Sequence, residues 1–207
     1  MRLYDYAASG NCFKVRLLLG MLGVEYERVP IDIFGGDTLT CEFALINPLR
    51  ETPVLELEDG SRLAQSNAIL WYLAEGTPFL PVDPWERGLV AQWLAFEQER
   101  VMGGLGNPRF RRVTGRAVDA SRLRTGREAL AVLDGHLAAR SWVVGERVSI
   151  ADLGLFPYVS VAGDAGVAVP AYVSAWLERV RALPGFVDDF EPYPDNARPG
   201  VGSSIYG

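Results

Sequence analysis

Ser9, Asn11 and Cys12 bring a hydroxyl, an amide and a thiol into the short run Ser9-Gly10-Asn11-Cys12-Phe13-Lys14-Val15-Arg16. What such a cluster can do depends on its flanks. The alternating Leu3-Tyr4-Asp5-Tyr6 reads as a strand before it, and the apolar run Val15 to Leu22 reads as a buried helix after it. A strand feeding a helix through a small polar turn aims free backbone N–H groups and the positive helix end at one spot. A thiolate, a phosphate or a carboxylate suits that spot. With Ser9 and Asn11 in the turn, the pattern predicts a place where a bound thiol is made reactive.

The remaining chemistry-bearing residues are sparse. Lys14 is the only lysine, and with Arg16 it reads as a solvated charge. Cys12, on the first turn of an apolar helix, reads as a packed thiol, and Cys41 and His136 read as ordinary helix residues, His136 at the surface. These two cysteines and one histidine form no ligand set, so no metal is expected. A formal charge of −6 gives no general attraction to nucleic acid or anionic membranes. No apolar stretch approaches the roughly 20 residues of a membrane span. The opening Met1-Arg2-Leu3-Tyr4-Asp5 lacks the basic-then-apolar plan of a signal peptide. A cytoplasmic protein with reduced thiols is the expectation.

The 207 residues, 49% hydrophobic, suffice for one large domain or two small ones. After the first helix, Glu25 to Ile31 alternates like a strand, with Pro30 at an edge or strand end. Leu39 to Ile46 reads as a short helix ended by Asn47-Pro48. Pro53 to Glu58 is a strand, Asp59-Gly60 a hairpin turn, and Ser61 to Ala64 its partner. Gln65-Ser66-Asn67 supplies capping chemistry for a helix over Ala68 to Glu75. Beyond Gly76-Thr77-Pro78 the strand signals vanish. Trp85, Leu89, Trp93 and Phe96 recur at helical spacing, with both tryptophans expected in the core. Gly103-Gly104-Leu105-Gly106-Asn107-Pro108 reads as a helix break. Ser149-Ile150-Ala151-Asp152 resembles a capping box opening another helix, and a further helix runs from near Pro170 to Leu183. The tail from Glu191 to Gly207 reads as irregular.

This arrangement resembles a cytosolic glutathione S-transferase of bacterial type over essentially the whole chain. Ser9-Gly10-Asn11-Cys12 is similar to the serine turn of delta-, theta- and phi-like classes. Asn47-Pro48 with Thr52-Pro53-Val54-Leu55 resembles the family's Asn-Pro…Val-Pro-x-Leu segment. Gln65-Ser66-Asn67-Ala68-Ile69 and Ser149-Ile150-Ala151-Asp152 resemble two further family signatures in the expected order. The resemblance implies an α/β plus all-α fold. A thioredoxin-like glutathione-binding domain would span 1–76, a linker 77–82, and an all-helical domain 83–207, usually in a homodimer.

It also implies roles. Ser9 falls on the catalytic serine, whose hydroxyl would donate to the glutathione sulfur, and Asn11 is a close second donor. Lowering a thiol pKa of about 8.5 by about two units takes about 2.7 kcal/mol. One charge-assisted hydrogen bond of about 1.5–3 kcal/mol and a helix end of about 0.3–1 kcal/mol suffice. Thr52, before an expected cis Pro53, would pair with the cysteinyl backbone, and Gln65 and Ser66 would hold the γ-glutamyl group. Phe13 and Arg50 complete the expected binding set. Glu51 departs from the amide or amine common there, and Arg50 is read as a carboxylate partner that compensates. Neither the tyrosine of alpha-, mu- and pi-like classes nor the cysteine of omega- and beta-like classes stands at the catalytic position. Ser9-x-x-Cys12 overlays a thioredoxin dithiol site but lacks its first cysteine. Glu97, Gln98 and Arg100 are either part of the acceptor site or an ordinary polar helix face.

Three functions follow from the resemblance. The first is conjugation of glutathione, the cosubstrate, to a hydrophobic electrophile. The second is glutathione-dependent reduction of disulfides or peroxides without a protein cysteine, and the third is a non-catalytic binding module. An isomerase or a dehalogenase is a further variant, although Gly10-Asn11 interrupts the Ser-Ser-Cys motif of zeta-like isomerases.

Overall fold

A computed structural model describes residues 1–205, and the last two residues of the irregular tail lie outside the described set. The first half builds a four-stranded mixed sheet. Strand β1 (Arg2–Asp5) leads into helix α1 (Gly10–Leu22), and strand β2 (Glu27–Pro30) returns parallel to β1. A helical turn (Asp37–Leu39) and helix α2 (Cys41–Ile46) follow. Strand β3 (Val54–Glu56) then runs antiparallel to β1, pairing Leu55 with Leu3, and β4 (Arg62–Ala64) completes the order β2-β1-β3-β4. Helix α3 (Ser66–Ala74) closes this thioredoxin-like half.

Helix α1 begins at Gly10, five residues earlier than its apolar run suggests, because the Ser9 hydroxyl caps it by accepting from Cys12 N at 3.3 Å. It is the central element. Val15 and Leu19 pack with Leu3, Leu55 and Ile69 on the sheet side, while Phe13, Leu17 and Leu18 join the core of the helical half. A helix buried all round leaves no face for solvated charge. The expectation that Lys14 and Arg16 are solvated is therefore corrected: both are enclosed and ion-paired.

The second half is helical. Helix α4 (Pro84–Phe96) continues without interruption into a π-helical segment (Glu97–Gly106) and then α5 (Asn107–Val113). The expected break at Gly103 to Pro108 does not occur. Its glycines serve close packing instead: a Cβ on Gly104 would fall 2.4 Å from Gly126 N of helix α6 (Ala120–Leu137). Trp93 lies in the core as expected, whereas Trp85 is 75% exposed, a correction traced to its place in the first turn of α4. His136 is half-buried, with Nε2 2.8 Å from the Val143 carbonyl.

Helix α7 (Ile150–Ser160) carries the expected capping box, Ser149 with Asp152. Asp152 is itself buried and accepts from Val143 N, Ser149 N and Trp176 Nε1 at 2.9–3.0 Å. Trp176 belongs to helix α8 (Ala171–Arg181), so one carboxylate ties the cap of α7 to its neighbour. The tail folds back over the first half. Phe190 stacks on Phe13 with centroids 5.0 Å apart, and Ser203 N donates to the Phe34 carbonyl. Among the described residues no helix is long and apolar enough to cross a membrane.

Candidate functional site

The start of α1, the β3 approach, the start of α3 and the junction of the π-helical segment with α5 converge on one cavity of about 370 Å³. Ser9 and Asn11 line it from the α1 turn, Glu51, Thr52 and Pro53 from the β3 approach, and Gln65 and Ser66 from the α3 turn. Six of the eight binding positions expected from the sequence thus share one space. The other two do not face it. The Phe13 ring is buried against Phe190, and the Arg50 guanidinium donates to the carbonyls of Thr38 and Thr40 at 2.8 and 2.9 Å. Phe13 points inward because α1 presents that face to the helical half, and Arg50 is turned away by a backbone φ of +56°.

Three features of the wall are unusual for a folded chain. The Thr52–Pro53 peptide is cis, and neither the N–H nor the C=O of Thr52 has a partner among the described residues. Buried or half-buried backbone groups are normally paired, so this edge can accept an extended peptide backbone. Gln65 holds φ +72°, rare for a residue with a side chain, and α3 starts directly after it. The expected side-chain cap on α3 is not made, which leaves the first N–H groups of that helix free for a carboxylate. On the α1 turn, Ser9 Oγ accepts from Cys12 N, and its O–H remains a donor at the cavity wall.

Behind the turn sits a buried ion pair. Lys14 Nζ lies 2.7 Å from Glu97 Oε2, 2.9 Å from Asn11 Oδ1 and 3.5 Å from both Ser66 Oγ and Asn67 Oδ1. Both charged side chains are 0% exposed. Burial pushes the Lys14 ammonium down from its ordinary range, and the charge of Glu97 opposes that. Of the three residues flagged on this helix, Glu97 is the buried partner and Gln98 lines the cavity, while Arg100 is a surface residue beside Glu99.

The opposite wall is aromatic. Tyr6, Phe34, Phe110 and Tyr193 pack with ring centroids 5.4–6.5 Å apart, joined at the cavity by Ile33, Met102 and Tyr158. Burial pushes the phenols of Tyr6, Tyr158 and Tyr193 upward, so all three stay protonated at neutral pH. Arg109 braces Tyr193 from behind, with its guanidinium carbon 5.0 Å from that ring and its Nε 3.1 Å from Asp164 Oδ2. Gln98, Asn107 and Arg111 give this side a polar rim. Sequence reasoning missed the aromatic wall. Tyr6 directly follows the first strand, just before the Ser9 turn, but Phe110 and Tyr193 carry no local signal.

Cys12 lies outside the cavity. Its thiol accepts from Tyr6 N at 3.3 Å, and burial pushes it up to about 12, with Asp5 adding to the rise. It is no nucleophile at neutral pH.

An extended backbone edge and an uncapped helix start around a space walled by aromatics define a cavity suited to an extended, carboxylate-bearing small molecule beside an apolar wall. The comparisons agree. Residues 8–75 match the family described as "Glutathione S-transferase, N-terminal domain", and residues 100–184 match "Glutathione S-transferase, C-terminal domain". A maleylacetoacetate isomerase of Rhizobium meliloti is 32% identical over 95% of this chain and 97% of its own. The disulfide-bond oxidoreductase YfcG of Escherichia coli is 30% identical, over 86% and 89%. The crystal structure of a glutathione S-transferase from Pseudomonas fluorescens superposes with a TM-score of 0.87 at 38% identity, covering 92% of this chain and 98% of that one. The chain spans 43% of the length of the mouse and rat maleylacetoacetate isomerases it matches. The chain belongs to the glutathione S-transferase family.

Proposed function

We propose that the protein is a glutathione transferase. Glutathione lies along the Thr52 edge, with its γ-glutamyl carboxylate at the start of α3 beside Gln65 and Ser66. Its sulfur rests between Ser9 and Asn11, which stabilise the thiolate. The thiol proton passes to solvent, and the sulfur attacks a hydrophobic electrophile held against Tyr6, Phe34, Phe110 and Tyr193. A C–S bond forms, and the leaving group departs with its electron pair. In this reading residues 1–76 bind glutathione, residues 83–207 supply most of the acceptor wall, and 77–82 join them in a cytoplasmic homodimer. No step calls on a metal, nucleic acid or membrane.

The observation that carries the reading is the shared cavity: a Thr52 backbone with no partner among the described residues, an uncapped α3 and both turn residues line one space. The test is glutathione-dependent conjugation of a halonitroarene. Replacing Ser9 and Asn11 together by Ala is expected to lower kcat/KM by at least about 100-fold, the scale of losing preorganised donors to a developing or resident anion. An unchanged rate sinks the mechanism.

A second reading is glutathione-dependent reduction of disulfides or peroxides, supported by the sealed Cys12 and the printed name of the Escherichia coli relative. It predicts full activity in Cys12→Ser and oxidised glutathione bound at least as tightly as reduced. Loss of the activity in that variant removes it.

A further inference from the structure

Lys14 and Glu97 come from opposite halves of the chain and meet where neither is in water. A buried ion pair is a weak stabiliser, because desolvation offsets most of the attraction. Its placement is more telling than its strength. The ammonium contacts Asn11 and Ser66, both on the cavity wall, and Glu97 Oε2 also accepts from Asn67 Nδ2 at 3.1 Å.

We infer that Lys14, held by Glu97, is a positioning residue that fixes the Asn11 amide with its Nδ2 toward the cavity. The inference rests on the proposal that Asn11 serves a bound thiolate. An asparagine amide otherwise turns freely between two near-equivalent orientations. Here its oxygen accepts from Lys14 Nζ at 2.9 Å and from Ser66 Oγ at 3.3 Å. An ammonium has three donors and no acceptor, so the NH₂ end cannot take that place. The Nδ2 donors are left without a partner among the described residues. Without the lock, the amide presents its oxygen to the sulfur part of the time and disfavours the thiolate. The lysine thus acts on the sulfur through Asn11, and the helical half sets the donor's geometry through Glu97.

The test is a neutral pair of similar volume, Lys14→Met with Glu97→Leu. The bound glutathione thiol is titrated by its ultraviolet thiolate band, and S-methylglutathione, which has no thiol to ionise, reports the tripeptide site alone. The pair variant is expected to raise the thiol pKa by about one, a tenfold loss of thiolate at fixed pH. Affinity for S-methylglutathione should stay within about threefold. Adding Asn11→Ala to the pair variant should raise the thiol pKa no further, since both changes remove the same donor. A wild-type thiol pKa in the pair variant overturns the inference. So does an equal rise with and without Asn11, which would make the lysine a distant field. If Asn11→Ala alone leaves the thiol pKa unchanged, both the donor role and the lock fall. A wild-type protein that binds no S-methylglutathione fails at the glutathione reading itself. Should the pair variant not fold, the sole lysine offers a direct readout, because isotope labelling of lysine Nζ gives a single side-chain resonance. That signal is expected to shift in Asn11→Ala, and an unmoved signal rejects the contact.

Discussion

Ser9 and Asn11 share a turn but are held in different ways. Ser9 spends its oxygen on capping α1, and Asn11 spends its oxygen on Lys14, so each turns a donor outward. Cys12, one residue on, is fully buried, and its thiol accepts from Tyr6 N. The two thiols of the chain therefore differ sharply. Cys41 is exposed at the start of α2, whereas Cys12 is buried and pushed up to about 12. A disulfide reagent at neutral pH is expected to label one thiol in the native protein and two after unfolding. Rapid labelling of both in the folded state would contradict the burial of Cys12. The Ser9–Cys12 turn was legible because caps and turns are local chemistry. The burial of Lys14 is not legible in the sequence, because its partner lies 83 residues away and no local pattern marks a charge for burial.

At the scale of elements, the strands and most helices follow from alternation, proline and turn residues. The π-helical segment does not. Its three glycines look like a break, but Gly104 and Gly106 are sites of contact, with α6 and with the Tyr158 ring. A sequence shows that a residue is small without showing what approaches it. Two glycines of α6 separate these meanings. A Cβ on Gly126 would meet backbone atoms of Gly104 within 2.7 Å, and backbone cannot step aside. Gly126→Ala is expected to lose about 1–3 kcal/mol by overpacking. Gly135 has open space around its Cβ position, so Gly135→Ala should hold or gain up to about 1 kcal/mol from helix propensity. Thermal or denaturant unfolding of the two variants checks both signs. A Gly126→Ala protein as stable as the parent would mean that α6 and the π-helical segment are not in tight contact.

At the scale of the whole molecule, the two halves are joined by charge as well as by the core that α1 shares. Arg16 of α1 pairs with Asp5 of β1 at 2.6 Å and with Asp189 of the tail at 2.9 Å, and it also donates to the Asp189 carbonyl. This clamp sits just before Phe190 and Tyr193, which carry the tail over Phe13 and into the aromatic wall. An irregular tail with little periodicity gives no sequence sign of such a role, since its contacts are all long-range. Asp189→Ala leaves the buried Arg16 with fewer acceptors. Because Asp189 is 38% exposed, solvent screens part of the loss, and a cost of about 1–2 kcal/mol is expected. The change should be felt at the cavity too: hydrogen exchange over residues 187–203 is expected to rise while the strands β1 and β3 stay protected. Asp195→Ala is the control, since its ion pair with Arg198 is exposed on both sides and should leave the melting midpoint unchanged. If Asp189→Ala and Asp195→Ala behave alike in both measurements, the tail is held by its aromatic contacts alone, and Arg16 clamps nothing.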